Sequence, residues 1–259
     1  MAFGVRREHA RARRVHGQNL LPDPAAIAQV VAAAQPGPGD LLYEVGAGRG
    51  HLTAQLVRAG AHVVAYETDP GLASALPRHD RLTVRVDDFL AATPPRRPFH
   101  VAGNIPYGLT SAVVDWCLRA GTLRSATLVT QLEYARKRTG DYGRWTRLTV
   151  TTWPSFGWRL AGRLPRTAFR PVPRVDGGIL RLERRPTPLI RNDRLPAWRA
   201  MVDCGFRGNG GSLRASLSRP YGTRAVDAAF RAVRLGRGTT VGEVWPEQWI
   251  SLFRLLERR

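Results

Sequence analysis

The sequence predicts an α/β protein in which a doubly wound parallel sheet is followed by a smaller helical domain. Between about residues 25 and 185, short apolar runs alternate with helical stretches, which is typical of strand–helix units in a parallel sheet. The composition changes around Pro186–Pro188, and only helical patterns follow. The 259 residues, 43% of them hydrophobic, are enough for one large core and a small second one.

The apolar runs predict five strands in order along the chain. The first run, Leu41–Val45, ends in glycines, and a helix is expected to follow it from residue 51 to 59. Further strands are expected at 62–67, 82–86, 99–104 and 126–130. Segments 148–153 and 178–182 are interpreted as two later strands, one of which can run antiparallel. Helices are expected at 195–204, 211–217, 224–235 and 246–256.

Three segments are expected: an N-terminal arm at 1–16, a Rossmann-like domain at 17–187 and a helical RNA-binding domain at 188–259. The arm carries five arginines among small residues. It is either a disordered tail or a flexible arm that contacts nucleic-acid phosphates, and the two interpretations are compatible.

Several classes of protein are disfavoured by composition. No run of eighteen apolar residues is present, so no membrane-spanning helix is expected, and the basic N-terminus lacks the apolar stretch of a signal peptide. The cytoplasm is the expected compartment. The two cysteines, Cys117 and Cys204, form no CxxC pair and no metal-ligand cluster, so we expect buried thiols and no metal site.

The charge is unusual, because 40 Lys+Arg residues against 20 Asp+Glu give a formal net charge of +20. Such an excess favours a polyanionic partner, since neutralising phosphates releases counterions. An anionic membrane surface is the competing partner, but no basic amphipathic helix with an apolar face is evident.

A glycine loop, Gly46-Ala47-Gly48-Arg49-Gly50, follows the first predicted strand. Glycines there permit a tight turn and close backbone approach by a ligand. The dinucleotide fingerprint would need glycine where His51 stands, and no GxxxxGK[ST] loop occurs, so NAD and ATP fit poorly.

Two acidic residues follow the next two strands. Glu67 stands where a carboxylate would bind two ribose hydroxyls, and Asp88 could accept from an exocyclic amine. A glycine loop, a ribose acid and a further acid fit S-adenosylmethionine, a nucleoside without phosphate. Each acid alone could equally be a solvated loop residue.

The tetrapeptide Asn104-Ile105-Pro106-Tyr107 follows the fourth strand. The Asn104 oxygen and the Ile105 carbonyl would accept from an adenine amino group, whose delocalised lone pair is otherwise a poor nucleophile. Pro106 stiffens the turn, and Tyr107 offers a face on which a flipped base stacks. Alone, the tetrapeptide could be a plain turn beside a core tyrosine.

The order and spacing of these motifs resemble the rRNA adenine-N6 methyltransferases, which comprise the erythromycin-resistance (Erm) and KsgA-type enzymes. Gly17–Leu21 resembles the cofactor motif GQNFL, with Leu20 in place of phenylalanine, and Phe169–Asp176 matches F-x-P-x-P-[KR]-V-D. The resemblance implies a Rossmann-like S-adenosylmethionine-dependent methyltransferase domain. It implies cofactor contacts from these residues: Gln18, Asn19, Leu20, Glu44, Gly46, Gly48, Glu67, Asp88 and Asn104. It also implies that Asn104 to Tyr107 hold the target adenine.

Finer features resemble the Erm branch. These are Ile105, Tyr66–Pro70, Trp153-Pro154 and the stretch from Trp245 to Phe253. This branch implies methylation of adenine N6 in the peptidyl-transferase region of naked or immature 23S rRNA, macrolide resistance, and a monomer. The alternatives are a KsgA-type enzyme acting on 16S rRNA and an RNA-binding factor that has lost catalysis.

Part of the positive charge clusters after the fifth strand. We expect RNA phosphate contacts from six residues: Arg136, Lys137, Arg138, Arg144, Arg147 and Arg174. The alternative is an ordinary solvated face. The tryptophans Trp116, Trp198 and Trp249 lie at helical spacing in apolar stretches, so we expect them in the core rather than on RNA.

Overall fold

A computed structural model describes residues 19–208 and 212–257 and contains one seven-stranded sheet with the order β3-β2-β1-β4-β5-β7-β6. The strands are β1 (Leu41–Val45), β2 (His62–Tyr66), β3 (Leu82–Arg85), β4 (Phe99–Asn104), β5 (Leu123–Gln131), β6 (Phe156–Leu164) and β7 (Gly177–Arg184). The first five strands run parallel to one another, and β7 runs antiparallel to β5. The predicted α/β class and its parallel strands are confirmed.

Ten α-helices lie within the described residues. They are α1 (Pro24–Ala34), α2 (His51–Arg58), α3 (Pro70–Ser74), α4 (Thr110–Arg119), α5 (Leu132–Arg138), α6 (Arg147–Thr152), α7 (Leu195–Arg207), α8 (Leu213–Tyr221), α9 (Thr223–Ala232) and α10 (Pro246–Leu256). None of the helices in residues 19–208 and 212–257 is both long enough and apolar enough to span a membrane.

The strand expected at 148–153 is wrong, because this segment forms α6. Its Thr-Val-Thr-Thr sequence favours a strand. However, the Thr146 side chain caps the helix by accepting from the Thr149 amide at 3.3 Å, and Thr149 and Val150 are buried together. The sixth strand instead lies at Phe156–Leu164, whereas the strand expected at 178–182 is present as β7.

The sheet buries a core on each face. On one face, α1 and α2 pack aliphatic residues against the alternate strand positions Leu42, Val63 and Ala102. On the other face, aromatic rings are in contact, with centroids of 4.4–6.0 Å between neighbours: Tyr43, Tyr66, Phe89, Phe99 and Trp116. Both faces are therefore covered, as a parallel sheet requires.

The C-terminal helices have a core of their own. Trp198 and Trp249 are fully buried, and Trp198 meets Phe253 edge-on with ring centroids 5.6 Å apart. With Trp116 also buried, the core placement expected for these three tryptophans is confirmed. Cys117 is buried as expected, whereas Cys204 is only partly buried.

The described chain divides into two compact units. The first comprises residues up to Ala135 with Arg159–Glu183, and the second comprises Arg136–Trp158 with the residues from Arg184 onward. Residues 136–158 thus group with the C-terminal helices, where the Trp198 indole donates to the Thr151 carbonyl at 2.9 Å. The domain limits at 17–187 and 188–259 stay predictions, and the arm at 1–16 lies outside the described residues.

Candidate active site

The motifs predicted to bind a ligand follow strands that are neighbours in the sheet. The order β3-β2-β1-β4 places Asp88, Glu67, the glycine loop and Asn104 at the carboxyl ends of successive parallel strands. The strand order changes direction at β1, because β2 lies on one side of β1 and β4 lies on the other. Ligands of open α/β sheets bind at such a point.

The glycine loop adopts backbone conformations that favour glycine. Gly46 and Gly48 have φ angles of +69° and +55°. The amides of Gly46 and Ala47 both donate to the Tyr66 carbonyl, at 2.9 and 3.1 Å, which ties the loop to β2. A Cβ added to Gly46 would meet nothing within 4 Å, whereas one on Gly48 would lie 3.1 Å from Leu20. The space beside Gly46 can therefore admit a ligand, and Leu20 contacts the loop.

Glu67 is 1% exposed and is oriented by two backbone amides. Oε2 accepts from Gly48 at 2.8 Å, and Oε1 accepts from Asp69 at 2.9 Å. Because each carboxylate oxygen can accept two hydrogen bonds, both retain capacity for a vicinal diol. This geometry fits the ribose-binding role expected from the sequence.

Glu44, at the end of β1, is 1% exposed, and its Oε2 has no hydrogen-bond partner among the described residues. Burial raises the pKa of Glu44 to about 7; the polar groups of Thr53 oppose the shift and the nearby Glu67 carboxylate adds to it. A buried acid of this kind would be stabilised in its ionised form by a cationic ligand.

Asp88 is exposed just beyond β3. Its Oδ1 accepts from the Leu90 amide at 2.9 Å and so begins the short turn Phe89–Ala91. Oδ2 receives no hydrogen bond from the described part of the chain, and the neighbouring Val86 is 57% exposed. An acceptor beside an apolar side chain suits the edge and face of an adenine ring.

The Asn104 side chain is fixed by a residue far away in sequence. Its Nδ2 donates to the Asn19 carbonyl at 2.6 Å, across a separation of 85 residues. With the amino group bound there, the amide oxygen Oδ1 is the group left to accept from a substrate. Asn19 thus lies beside Asn104, whereas Gln18 lies outside the described residues.

The rest of the tetrapeptide forms a tight turn. Ile105 is buried and donates to the Val129 carbonyl at 3.2 Å, and the Pro106 carbonyl accepts from Leu109 at 2.8 Å. No donor among the described residues reaches the Ile105 carbonyl. The Tyr107 hydroxyl is buried and has no partner in the same part of the chain; burial and then the Asp176 carboxylate raise its pKa.

The segment Phe169–Asp176 holds the N-terminal motif in place. Leu20 and Arg170 exchange two backbone hydrogen bonds of 2.8 Å. Asp176 anchors the far end, because its carbonyl accepts from Leu132 and its Oδ1 accepts from Arg166, each at 2.9 Å. The sequence marked this segment only as a family signature, and its role in positioning Asn19 and Leu20 emerges from the structure.

Two further positioning residues were missed by sequence reasoning. A Cβ on Gly103 would lie 2.7 Å from the Val45 carbonyl oxygen, so glycine is needed where β4 approaches β1. Asp69 starts α3 by accepting from Gly71 and Leu72, and its own amide orients Glu67. The Asp-Pro pair at 69–70 is a helix-start signal that could have revealed the second of these.

Three of the residues predicted to bind RNA are engaged with protein groups. Arg136 pairs with Asp141 and lies over the Tyr142 ring, 4.3 Å from its centroid. Arg138 donates to Thr146 at 3.0 Å, and Arg147 pairs with Asp203 at 2.7 Å.

The other three are exposed: Lys137, Arg144 and Arg174. Arg144 and Arg174 form no ion pair with the described residues. These two guanidinium groups are therefore available to phosphate without breaking an ion pair, although the Arg144 charge also helps to lower the pKa of Glu243.

Comparison with known proteins agrees with this geometry. The sequence profile of the family described as ribosomal RNA adenine dimethylase matches residues 9–258. An rRNA adenine N-6-methyltransferase of Streptomyces fradiae is 55% identical over 95% of this chain and 79% of its own length. The crystal structure of the 23S rRNA methyltransferase ErmE is 47% identical, covers 93% of this chain and 100% of that chain, and has a TM-score of 0.90.

A more distant relative belongs to the other branch. The ribosomal RNA small subunit methyltransferase A of Thermobifida fusca is 36% identical over 87% of this chain and 85% of its own length. The family profile and these relatives span nearly the whole chain. The chain belongs to the ribosomal RNA adenine dimethylase family.

Proposed function

We propose that this rRNA adenine-N6-methyltransferase transfers a methyl group from S-adenosylmethionine to N6 of one adenine in the peptidyl-transferase region of 23S rRNA. The support is the similarity to ErmE and to the Streptomyces fradiae enzyme, which exceeds that to the small-subunit enzyme. The product would add bulk where the sugar of a macrolide docks, and so give resistance. The proposed setting is the cytoplasm, with the enzyme acting as a monomer on naked or immature rRNA.

The cofactor site rests on the first three strand ends. The residues proposed to hold S-adenosylmethionine are Gln18, Asn19, Leu20, Glu44, Gly46, Gly48, Glu67, Asp88 and Asn104. The buried Glu67 carboxylate retains acceptor capacity for the ribose, and the unpartnered Glu44 Oε2 faces no competing donor among the described residues. The open space at Gly46 leaves room for the methionine moiety. When bound, the cofactor supplies an activated methyl group on a sulfonium.

The observation that carries the proposed chemistry is the hydrogen bond from Asn104 Nδ2 to the Asn19 carbonyl. Because Nδ2 is bound to Asn19, Asn104 Oδ1 is the atom available to accept a hydrogen bond from the substrate. The Ile105 carbonyl is a second acceptor, since no donor among the described residues reaches it. Two acceptors on the adenine amino group favour a pyramidal nitrogen with an available lone pair. The methyl group would come from the sulfonium of the bound cofactor, and the proton that N6 loses on methylation would pass to water.

Tyr107 is proposed to stack on the flipped adenine, with Pro106 holding the turn that presents it. Its ring is half-buried, so its orientation is set by packing while part of the surface stays accessible. Stacking on an aromatic face is worth about 1–3 kcal/mol per base, enough to offset much of the cost of extruding the base. Phosphate contacts are proposed for Arg136, Lys137, Arg138, Arg144, Arg147 and Arg174.

The test is methyl transfer from labelled S-adenosylmethionine to protein-free 23S rRNA and, in parallel, to isolated 30S subunits. Label mapped to one adenine of the macrolide site in 23S rRNA is the expected result. Label in the 30S subunit alone would instead assign this chain to the small-subunit branch. A protein that binds rRNA but transfers no label to either would be a factor without catalysis.

A further inference from the structure

Two aromatic side chains are unusually exposed for their size. Trp245 is 57% exposed and Tyr142 is 46% exposed, and no other aromatic ring among residues 19–208 and 212–257 is exposed to this degree. Both belong to the second compact unit. Leaving so much aromatic surface in water forfeits hydrophobic stabilisation, so an exposed pair of this kind indicates a surface that binds a partner.

Contacts with neighbouring residues fix the position of Trp245. Its ring contacts Trp145 with centroids 5.4 Å apart, and Trp145, itself 8% exposed, meets Trp153 edge-on at 5.5 Å. The Trp245 amide donates to Gln248 Oε1 and its carbonyl accepts from Trp249, both at 3.0 Å. The ring therefore needs little ordering before it contacts a ligand.

Tyr142 is oriented by a cation. The Arg136 guanidinium covers one face of its ring at 4.3 Å, and Asp141 holds that guanidinium in turn. Tyr142 is still 46% exposed, so much of its surface remains open to solvent despite this contact.

The turn that carries Tyr142 packs against Trp145, the ring that contacts Trp245. Gly140, with φ of +72°, packs against the Trp145 ring so closely that an added Cβ would lie 2.5 Å from its atoms. Trp145 donates to the Gly242 carbonyl at 2.7 Å, which brings the turn to the segment leading into α10. We call Tyr142, Trp145 and Trp245 the aromatic surface.

The charges around the aromatic surface favour an anionic partner. Arg144 is exposed without an ion pair among the described residues, and Arg136 lies against Tyr142. Of the nearby carboxylates, Glu243 accepts from the Thr240 amide at 2.9 Å, and Glu247 lies in the first turn of α10. Aromatic faces interleaved with arginine are typical of surfaces that bind unpaired nucleic acid.

We propose that the aromatic surface binds unpaired bases of the RNA substrate by stacking on Trp245 and Tyr142, while Arg144 contacts an adjoining phosphate. The inference rests on the proposed function, because it takes RNA as the substrate. It adds that the second unit distinguishes unpaired from paired RNA, in addition to the binding of the target adenine at Asn104.

The test compares Trp245→Ala, Trp245→Phe and Tyr142→Ala with the parent enzyme. The dissociation constant is measured for a protein-free 23S rRNA fragment with unpaired bases and for a fully paired duplex of the same length. Each alanine variant is expected to bind the unpaired fragment about 5- to 100-fold more weakly, with little change on the duplex. Trp245→Phe, which retains a stacking face, is expected to keep most of the affinity.

Two readouts separate stacking from charge and from folding. The slope of log Kd against log salt should be unchanged in the alanine variants but should fall by about one in Arg144→Ala. The affinity for S-adenosylmethionine and the Tm should match the parent, and Leu255→Ala, at a side chain that is 39% exposed on α10, is the control for loss of exposed apolar surface.

Equal affinity of parent and alanine variants for the unpaired fragment would overturn the inference while leaving the proposed function intact. Equal weakening on fragment and duplex would also overturn it, as would a change in sedimentation of the free protein without a change in RNA affinity. If the parent itself transferred no methyl group to 23S rRNA, the proposed function would fail instead.

Discussion

The side-chain amide of Asn104 shows how one hydrogen bond decides chemistry at the scale of a residue. An asparagine at the end of a strand can present either its amino group or its oxygen to a ligand. Here Nδ2 is bound to the Asn19 carbonyl at 2.6 Å, so the oxygen is presented. An acceptor, rather than a donor, is what an amino-group nucleophile requires.

Replacing Asn104 with alanine is expected to lower kcat for methyl transfer on the order of 100-fold or more, because it would remove one of the two acceptors proposed to act on the reacting nitrogen. Affinity for S-adenosylmethionine, measured by calorimetry, should fall much less than kcat, because the other proposed cofactor contacts remain. Asn192→Ala, at an exposed site in the second unit, is the control. Near-normal turnover of the Asn104 variant would sink the proposed role.

Glu44 makes stability depend on pH. Its pKa is about 7 in the folded protein and 4.5 in the reference state. Below pH 4.5 the acid is neutral in both states, so burial costs little. Between pH 4.5 and about 7 the acid ionises in the unfolded chain but stays neutral in the folded protein, so the folded state loses about 3 kcal/mol over this range. The folded cofactor-free enzyme should therefore be less stable at pH 8 than at pH 5 through this group.

The variant Glu44→Gln removes that ionisation. In the absence of cofactor, its Tm should exceed that of the parent at pH 8, and the difference should shrink toward zero by pH 5. Thermal unfolding at both values measures it, with the exposed Glu247→Gln as the control for loss of one negative charge. A Tm difference that stays constant with pH would contradict the assignment.

At the scale of elements, a buried arginine joins the sheet to α1. Arg181 on β7 is 5% exposed, and its Nη1 donates to the Ala33 and Ala34 carbonyls at 2.6 and 3.0 Å. These are carbonyls of the last turn of α1, which lack partners within the helix. The arginine thereby fixes the C-terminal end of α1 against β7.

Arg181→Met is expected to lower the free energy of unfolding by about 2–4 kcal/mol, since it leaves two carbonyls without their charged donor. Urea denaturation of the cofactor-free protein measures this. Arg191→Met is the matched control, because the Arg191 side chain is 84% exposed and pairs with Asp193, which is also exposed. Equal stability of the two variants would show that Arg181 does not anchor α1.

At the scale of the whole molecule, the arginines behind the formal net charge of +20 are of two kinds: some bind protein groups, and others have no ion pair among the described residues. Arg136, Arg147 and Arg181 are bound to protein groups, whereas Arg144 and Arg174 have no ion pair among the described residues. Only the second kind gives a simple test of phosphate binding, since removing Arg136 would also release Asp141 and uncover Tyr142.

Arg144→Ala is therefore expected to raise the KM for 23S rRNA roughly tenfold at low salt and to leave the cofactor KM unchanged, because it would remove one proposed phosphate contact. Steady-state methyl transfer at several salt concentrations measures both. Arg119→Ala, where an exposed arginine pairs with Asp115, controls for the loss of one positive charge. Indistinguishable KM values for Arg144→Ala and the parent would refute the contact. Arg136→Ala is also expected to raise the KM for RNA.

The α/β class, the succession of the first five strands along the chain and the motifs at their carboxyl ends could be predicted from the sequence. These features are local: β1 and its glycine loop, for example, are specified by apolar runs and by glycines that accept positive φ. The strand prediction failed at 148–153 because Thr and Val favour a strand, whereas the Thr146 cap and burial in the second unit favour the helix.

Which motifs come into contact depends on packing between segments that are distant in the sequence. The contacts of Asn104 with Asn19 and of Leu20 with Arg170 join residues far apart in the chain, and no local pattern encodes which pairs will form. The same holds for the arginines, because composition counts Arg144 and Arg181 alike, although one is solvent-exposed and the other is buried against a helix end. Packing between distant segments sets burial and hydrogen-bond partners, and these determine which groups remain available to cofactor and RNA.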